Sequence, residues 1–133
     1  TQQRISSVVV LHANHPREID GATAASISAL RDAGVTVLNQ AVLLAGINDD
    51  AGVLAELSDA LFAAGALPYY LHLLDRVAGA AHFEVPEERA RRLVGDVAAM
   101  RPGYLVPRLV VEVPGASSKR ELAPTYPERV FPE

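Results

Sequence analysis

The feature that most constrains the fold is the alternation of short apolar runs with helical patterns. Residues 6–12, 35–44 and 66–75 are apolar runs of the length typical of buried strands. Between them, residues 16–34 and 49–65 carry apolar positions at helical spacing, and each of these segments ends in an Ala-Gly join, in "LRDAGVTVLNQ" and "LFAAGALPYYL". Repeated strand–helix units imply right-handed crossovers, so the sequence predicts an α/β fold with a parallel sheet.

The pattern continues towards the carboxyl end. Residues 84–103 are predicted to form a third helix, with Pro86 near its first position and acidic residues in its first turn. Residues 104–113 form a last extended segment, which Pro107 interrupts.

The tail, residues 120–133, is rich in proline and charge and is predicted to lie irregularly on the surface. We expect one domain, in which strand–helix units over residues 1–103 are followed by a functional segment and tail over 104–133.

Composition argues against several classes of function. The chain of 133 residues has a formal net charge of -4 and no cysteine, so it offers no basic patch for nucleic acid, no disulfide and no thiolate metal site. No apolar run reaches the ~18 residues that a membrane span needs. The opening residues turn polar too soon for the pattern of a signal peptide, so we expect none there. Glycine-rich nucleotide loops and the GxSxG motif are absent. We expect a cytoplasmic protein and, because the chain lacks an initiator methionine, a part of a longer one.

Polar side chains lie at the carboxyl ends of the predicted strands, where ligands collect in barrels and open parallel sheets. They are His12, Asn14 and His15 after the first strand, Asn39 and Gln40 in the second, Asp75 after the third, and Glu112 in the last extended segment, seven positions before Lys119. Their concentration at one edge of a sheet indicates a binding site more strongly than any one of them alone.

Each of these residues also has a structural interpretation. His12 can cap a strand by bonding to the backbone, and Asn39 and Gln40 can satisfy the amides of a loop. His72, inside "YYLHLL", is interpreted as a packed strand histidine. The spacing of the histidines does not match a zinc site, so we assign no metal to this chain.

The charged candidates have structural interpretations as well. Asp75 can pair with Arg76 or Arg108, and Glu112 can face solvent on an edge strand. Lys119 stands in the Gly/Ser bend "GASSKRELAP", where most lysines are solvated surface groups.

Four stretches resemble the C-terminal half of the lysine 2,3-aminomutase family: "HANHPREI", "AGVTVLNQAVLLAGINDD", "LPYYLHLLDRVAGAAHFEV" and "GYLVPRLVVEVPGASSK". They are most similar to the shorter bacterial members that act on lysine for elongation factor P, the (R)-β-lysylation proteins. The resemblance implies half of a (β/α)6 partial TIM barrel of the radical S-adenosylmethionine type. It also implies the use of S-adenosylmethionine, pyridoxal phosphate and a 4Fe-4S cluster whose ligands lie outside this chain, in an isomerase that converts L-lysine to β-lysine by a 1,2-amino shift.

The resemblance also implies roles for individual residues. Lys119 matches the lysine that forms a Schiff base with pyridoxal phosphate. Asp75 and Glu112 match carboxylates that bind the side-chain ammonium of the substrate, and two acids balance a charge removed from water better than one. His12 and Gln40 match positions that contact S-adenosylmethionine.

Two departures and several alternatives accompany this interpretation. Ala45 stands where the family typically has arginine, and Arg120 stands where threonine is usual. The alternatives are a catabolic aminomutase acting on free lysine, a pyridoxal-phosphate or phosphate-binding module without radical chemistry, and a structural fragment that binds nothing. We expect L-lysine and the elongation factor P modification pathway as partners, and self-association or packing with a missing N-terminal half through an open sheet edge.

Overall fold

The computed structural model describes residues 6–74, 81–112 and 119–128, and it confirms the predicted α/β fold. Within these ranges, strands and helices alternate, giving five strands and three helices. They are β1 (Val8–Leu11), α1 (Gly21–Asp32), β2 (Thr36–Leu43), α2 (Ala51–Ala64), β3 (Leu67–Leu73), α3 (Glu87–Met100), β4 (Arg108–Glu112) and β5 (Lys119–Glu121), with short 3-10 turns at Pro16–Glu18, Ala81–Phe83 and Gly103–Leu105.

The strands form one sheet in the order β1-β2-β3-β4-β5. The first four strands are parallel, as the sequence predicts. β5 runs antiparallel to β4, with Val110 opposite Glu121 and Glu112 opposite Lys119.

β5 corrects the prediction of an irregular surface tail and an irregular functional segment. Directly after this strand, Leu122 is only 2% exposed and its amide donates to the carbonyl of Leu109 at 2.8 Å. A strand of three residues is too short to show a period of two in its sequence, which is why the pattern did not reveal it.

The predicted helix over residues 16–34 is also wrong at its start. A 3-10 turn at Pro16–Glu18 is followed by Asp20, whose carboxylate accepts from the amide of Thr23 at 2.8 Å and caps α1. The side chain of Asp50 caps α2 in the same way. None of the helices that the structure describes is long and apolar enough to cross a membrane.

The core lies between the three helices and one face of the sheet. Along β2 the buried residues alternate with partly exposed ones, and Val37, Ala41 and Leu43 join the helices in one cluster. The opposite face carries no described helix, and we call it the open face. Val8 and Val10 are 58% and 37% exposed, so the prediction of a fully buried first strand is wrong: β1 is at the edge of the sheet, with one neighbouring strand among the described residues.

Candidate functional site

Polar and aromatic side chains of four neighbouring strands share the open face of the sheet. Strand alternation assigns them there, because they lie next to core residues such as Asn39, Leu71 and Leu109, which face the helices. The set comprises Gln40 of β2, Tyr70 and His72 of β3, Arg108 and Glu112 of β4, and Lys119 and Glu121 of β5.

A β-bulge adds Tyr69 to this face. Asn39 pairs with Pro68 and Ala41 pairs with Leu71, so β3 advances three residues while β2 advances two. The extra residue brings two consecutive tyrosines to the same side, where ordinary alternation would place them on opposite sides. Their rings stack with centroids 3.9 Å apart, and the hydroxyl of Tyr69 donates to that of Tyr70 at 3.1 Å.

The phenol of Tyr69 loses its proton less readily than that of a free tyrosine. The hydrogen bond to Tyr70 raises the pKa of the Tyr69 phenol above its ordinary value of 10.0, and loss of solvent contact acts in the same direction. The positive charges of Arg108 and Lys119 partly oppose this effect on Tyr69.

His72 links β3 to β2 on the open face. Its Nε2 lies 3.1 Å from the side-chain oxygen of Gln40, an acceptor, so the imidazole donates this hydrogen bond. The ring of Tyr70 meets the imidazole edge to face, with centroids 5.8 Å apart. His72 is therefore a half-buried member of the site, and its interpretation as an ordinary packed histidine missed this role.

Three of the predicted site residues influence the pKa of His72. Burial lowers the pKa of the imidazole below 6.5, and the positive charges of Lys119 and His12 lower it further, whereas the carboxylate of Glu112 raises it. His12 itself is exposed and directly follows β1. The imidazole therefore lies within electrostatic range of one acid and two bases from three other parts of the chain.

Lys119 begins β5 opposite Glu112. Lys119 is exposed, yet its Nζ lies 5.5 Å from the ring centroid of Tyr70. The side chain therefore extends over β4 towards β3, and the ammonium lies over the open face of the sheet. Asp75, the other predicted acid, falls outside the described residues.

Two buried amides hold the strand ends in place. The side chain of Asn39 accepts from the amide of Ala13 at 2.9 Å and donates to its carbonyl at 3.0 Å, so this residue satisfies a backbone segment rather than a ligand. Asn48, which sequence reasoning missed, is fully buried and bonds to the backbone of Asn14, Val42 and Leu44. Together they fix Ala13 and Asn14, the two residues that follow His12.

Other candidates have local structural roles. The Nδ1 of His15 accepts from the amide of Arg17 at 3.1 Å and caps the first 3-10 turn. The carboxylate of Glu18 accepts from the amides of Asn14 and His15. Within residues 6–74, 81–112 and 119–128, no group of three or more histidine or acidic side chains lies close enough to hold a metal ion.

The two departures from the family pattern lie away from the open face. Arg120 pairs with Glu87 at the start of α3, with a nitrogen–oxygen distance of 3.4 Å. Ala45 packs against the core, and its amide donates to the carbonyl of Phe83 at 2.9 Å. Neither side chain contributes to the cluster around His72.

Comparisons with known proteins identify the family. No established protein-family profile matches the chain. The chain is 48% identical over 118 residues to L-lysine 2,3-aminomutase of Haemophilus influenzae and 49% identical over 115 residues to that of Escherichia coli. It is 36% identical over 115 residues to L-lysine 2,3-aminomutase of Clostridium subterminale.

These matches cover 86% to 89% of the chain but only 28% to 35% of each relative. The chain therefore spans about a third of the length of these curated relatives. The resemblance seen in the sequence is confirmed, and the chain corresponds to a C-terminal part of the lysine 2,3-aminomutase family.

Proposed function

We propose that this chain supplies part of the active site of an L-lysine 2,3-aminomutase, an isomerase that converts L-lysine to β-lysine. The observation that carries the proposal is the position of Lys119, the only lysine of the chain, on the face that also holds Gln40, His72 and Glu112. The similarity to proteins named L-lysine 2,3-aminomutase supports it over most of the chain.

Lys119 fits the role of the residue that holds pyridoxal phosphate. A covalent link to an aldehyde needs a primary amine that is accessible and can lose its proton. The Nζ of Lys119 is the only side-chain amine of the chain, and it lies over the open face beside the phenol pair of Tyr69 and Tyr70. When bound, pyridoxal phosphate supplies the extended π-system through which the amino group migrates.

Glu112 fits the role of a substrate-binding acid. Its carboxylate is exposed at the carboxyl end of β4, opposite Lys119, and its charge reaches His72. The cation closer to the start of this strand, Arg108, is engaged by Glu121 at 3.3 Å. In the proposal Glu112 acts with Asp75 to balance the side-chain ammonium of L-lysine.

Gln40 and His12 fit contacts to S-adenosylmethionine. Because the amide oxygen of Gln40 accepts from His72, the amide group points its NH2 donors away from that bond. His12 lies at the carboxyl end of the neighbouring strand, where the buried Asn39 fixes the following residue. We place the ligands of the 4Fe-4S cluster outside this chain, which has no cysteine.

The architecture proposed for the whole protein is a partial (β/α)6 barrel. Four parallel strands with helices on one face suit such a barrel, since its interior would be the open face. The exposed valines of β1 would then pack against the N-terminal half. We further propose a cytoplasmic protein whose β-lysine serves the modification of elongation factor P, on the resemblance of the sequence to the β-lysylation proteins.

The activity is tested on the full-length protein that contains this chain. Reconstituted anaerobically with pyridoxal phosphate, S-adenosylmethionine, dithionite and L-lysine, it should form β-lysine, and the Lys119→Ala variant should form none. Absence of β-lysine from a cluster-loaded preparation would overturn the proposal. Intact mass of elongation factor P in cells with and without the gene separates the modification pathway from a catabolic role.

A second candidate function is a pyridoxal-phosphate-binding module without radical chemistry. The accessible Nζ of Lys119 favours it, because the amine is presented by this chain alone. Borohydride reduction of the chain with pyridoxal phosphate should attach the cofactor to Lys119. Attachment without any β-lysine formation by the full-length protein would favour this candidate over the aminomutase.

A further inference from the structure

Among the residues that the structure describes, the ring of Tyr70 is the one aromatic group that contacts both the lysine and the histidine of the open face. The ammonium of Lys119 lies 5.5 Å from the ring centroid, within the range of about 6 Å at which a cation is attracted to an aromatic face. The imidazole of His72 meets the same ring edge to face at 5.8 Å. Neither contact is assigned by the family roles described above.

The side chain of Lys119 crosses β4 to reach Tyr70. Lys119 pairs with Glu112 on β4, whereas Tyr70 belongs to β3 and pairs with Arg108. Two strand spacings amount to about 10 Å in a sheet. The lysine side chain therefore extends across β4 and along the sheet, instead of pointing into solvent from its own strand.

The bulge determines which side of the Tyr70 ring is left open for this contact, because it adds Tyr69 to the open face. Regular alternation would turn one of the two tyrosines towards the core, but the extra residue in β3 leaves both on the open face. Tyr69 stacks on Tyr70 at 3.9 Å and occupies one side of its ring. The ammonium of Lys119 then lies on the side that Tyr69 leaves open.

From these contacts we propose that Tyr70 is a positioning residue for Lys119, holding its ammonium over the open face until the amine reacts. The proposal rests on the function proposed above only in assuming that the amine reacts with pyridoxal phosphate. The ring holds Nζ over the open face on the side of the sheet that also carries His72. It also slows reaction of the nitrogen, because the cation is attracted to the ring and the neutral amine is the nucleophile.

Glu112 is the competing explanation for the position of the lysine. Its carboxylate is paired in register with Lys119 and carries the opposite charge. Arg108, Glu121 and His72 complete the polar surroundings. A role for the ring itself is therefore tested with variants that change the aromatic group and leave all of these charges in place.

The test uses the reactivity of the only lysine. Reductive methylation with formaldehyde and a borane modifies only Lys119 and the chain's α-amine, and the peptide that contains Lys119 reports its rate. Tyr70→Leu should be methylated about 2- to 5-fold faster than the unaltered chain, a range that corresponds to a cation–π contact at an exposed site. Tyr70→Phe, which keeps the ring, should react at the unaltered rate.

Tyr104→Leu is the matched control, because Tyr104 is an exposed tyrosine that packs on Phe62 away from the open face. It should leave the rate unchanged. Equal rates in Tyr70→Leu and the unaltered chain, or equal acceleration in Tyr70→Phe and Tyr70→Leu, would overturn the proposal. Far-ultraviolet circular dichroism shows whether each variant is folded.

A second measurement applies even if Tyr70→Leu fails to fold. With ¹³C-formaldehyde, the methyl signals of Lys119 in the folded chain should lie upfield of their position in urea, because of the ring current of Tyr70. No such displacement would overturn the proposal. Failure of pyridoxal phosphate to attach, with the methylation pattern intact, would count against the proposed function and leave the role of Tyr70 standing.

Discussion

The imidazole of His72 donates a hydrogen bond of 3.1 Å to the side-chain oxygen of Gln40, and this contact joins β3 to β2 on the open face of the sheet. It fixes which way the amide of Gln40 points. His72 also contacts the ring of Tyr70 and lies within electrostatic range of Lys119 and Glu112. The organisation of the proposed site therefore depends on a residue to which the family resemblance gave no role.

Replacing His72 should weaken the binding of S-adenosylmethionine. His72→Leu removes the donor that orients Gln40, and one neutral hydrogen bond corresponds to a loss of about 2- to 10-fold in affinity. Calorimetric titration of the full-length protein measures this loss. His82→Leu, at an exposed histidine of the segment before α3, is the control and should bind normally. Unchanged affinity in His72→Leu would argue against an orienting role.

His72 should also make the stability of the chain depend on pH. Its pKa is lowered in the folded state, chiefly by burial, from the ordinary value of 6.5. The unfolded chain therefore takes up the proton first as pH falls, so the contribution of His72 is complete above pH 6.5 and is lost as pH falls through its lowered folded pKa.

Urea unfolding between pH 8 and pH 5 measures this contribution. The unaltered chain should lose more stability across that range than His72→Gln, which has no titrating group at this position. The other histidines and the acids titrate equally in both chains and cancel in the comparison. Parallel pH profiles for the two chains would contradict the expectation.

Asn48 should contribute strongly to the stability of the strand ends. It is fully buried, and its amide satisfies the backbone of Asn14, Val42 and Leu44. Asn48→Ala leaves these groups without their partners, which costs about 1–3 kcal/mol for a buried polar group left unpaired. Urea unfolding checks the loss against Ser26→Ala, an exposed helical residue whose change should stay within about 0.5 kcal/mol. Equal stability of the two variants would show that the network is dispensable.

The sequence predicted the parallel sheet and the residues at its carboxyl edge because periodicity and strand ends are local signals. Gln40, Glu112 and Lys119 do share one face. The contact of Lys119 with Tyr70 was not predictable, because it joins side chains of β5 and β3, which are not neighbours in the sheet. Arg120 was noted only as a departure, and its pairing with Glu87 is a contact between segments far apart in sequence.

The close approach of the tail to α3 depends on a glycine that sequence reasoning did not single out. A Cβ added at Gly95 would lie 1.9 Å from the carbonyl oxygen of Thr125, and real Cβ atoms do not approach that closely. The amide of Thr125 bonds to the carbonyl of Arg91 at 3.0 Å, so the tail is held against this turn of the helix. Since Leu122, a few residues earlier, is buried behind β5, the same packing supports the strand that presents Lys119.

Gly95→Ala should therefore destabilise the chain, although alanine is the better helix former by about 1 kcal/mol. Overpacking a close contact costs about 1–3 kcal/mol, and here the obstacle is backbone that cannot rotate away. Gly21→Ala is the matched control, because a Cβ at Gly21 at the start of α1 meets nothing within 4 Å and should be neutral or stabilising. Urea unfolding should separate the two variants, and limited proteolysis should cut the tail faster in Gly95→Ala alone. If Gly95→Ala is as stable and as resistant as Gly21→Ala, the tail does not pack on α3, and the support it gives to β5 and Lys119 is absent.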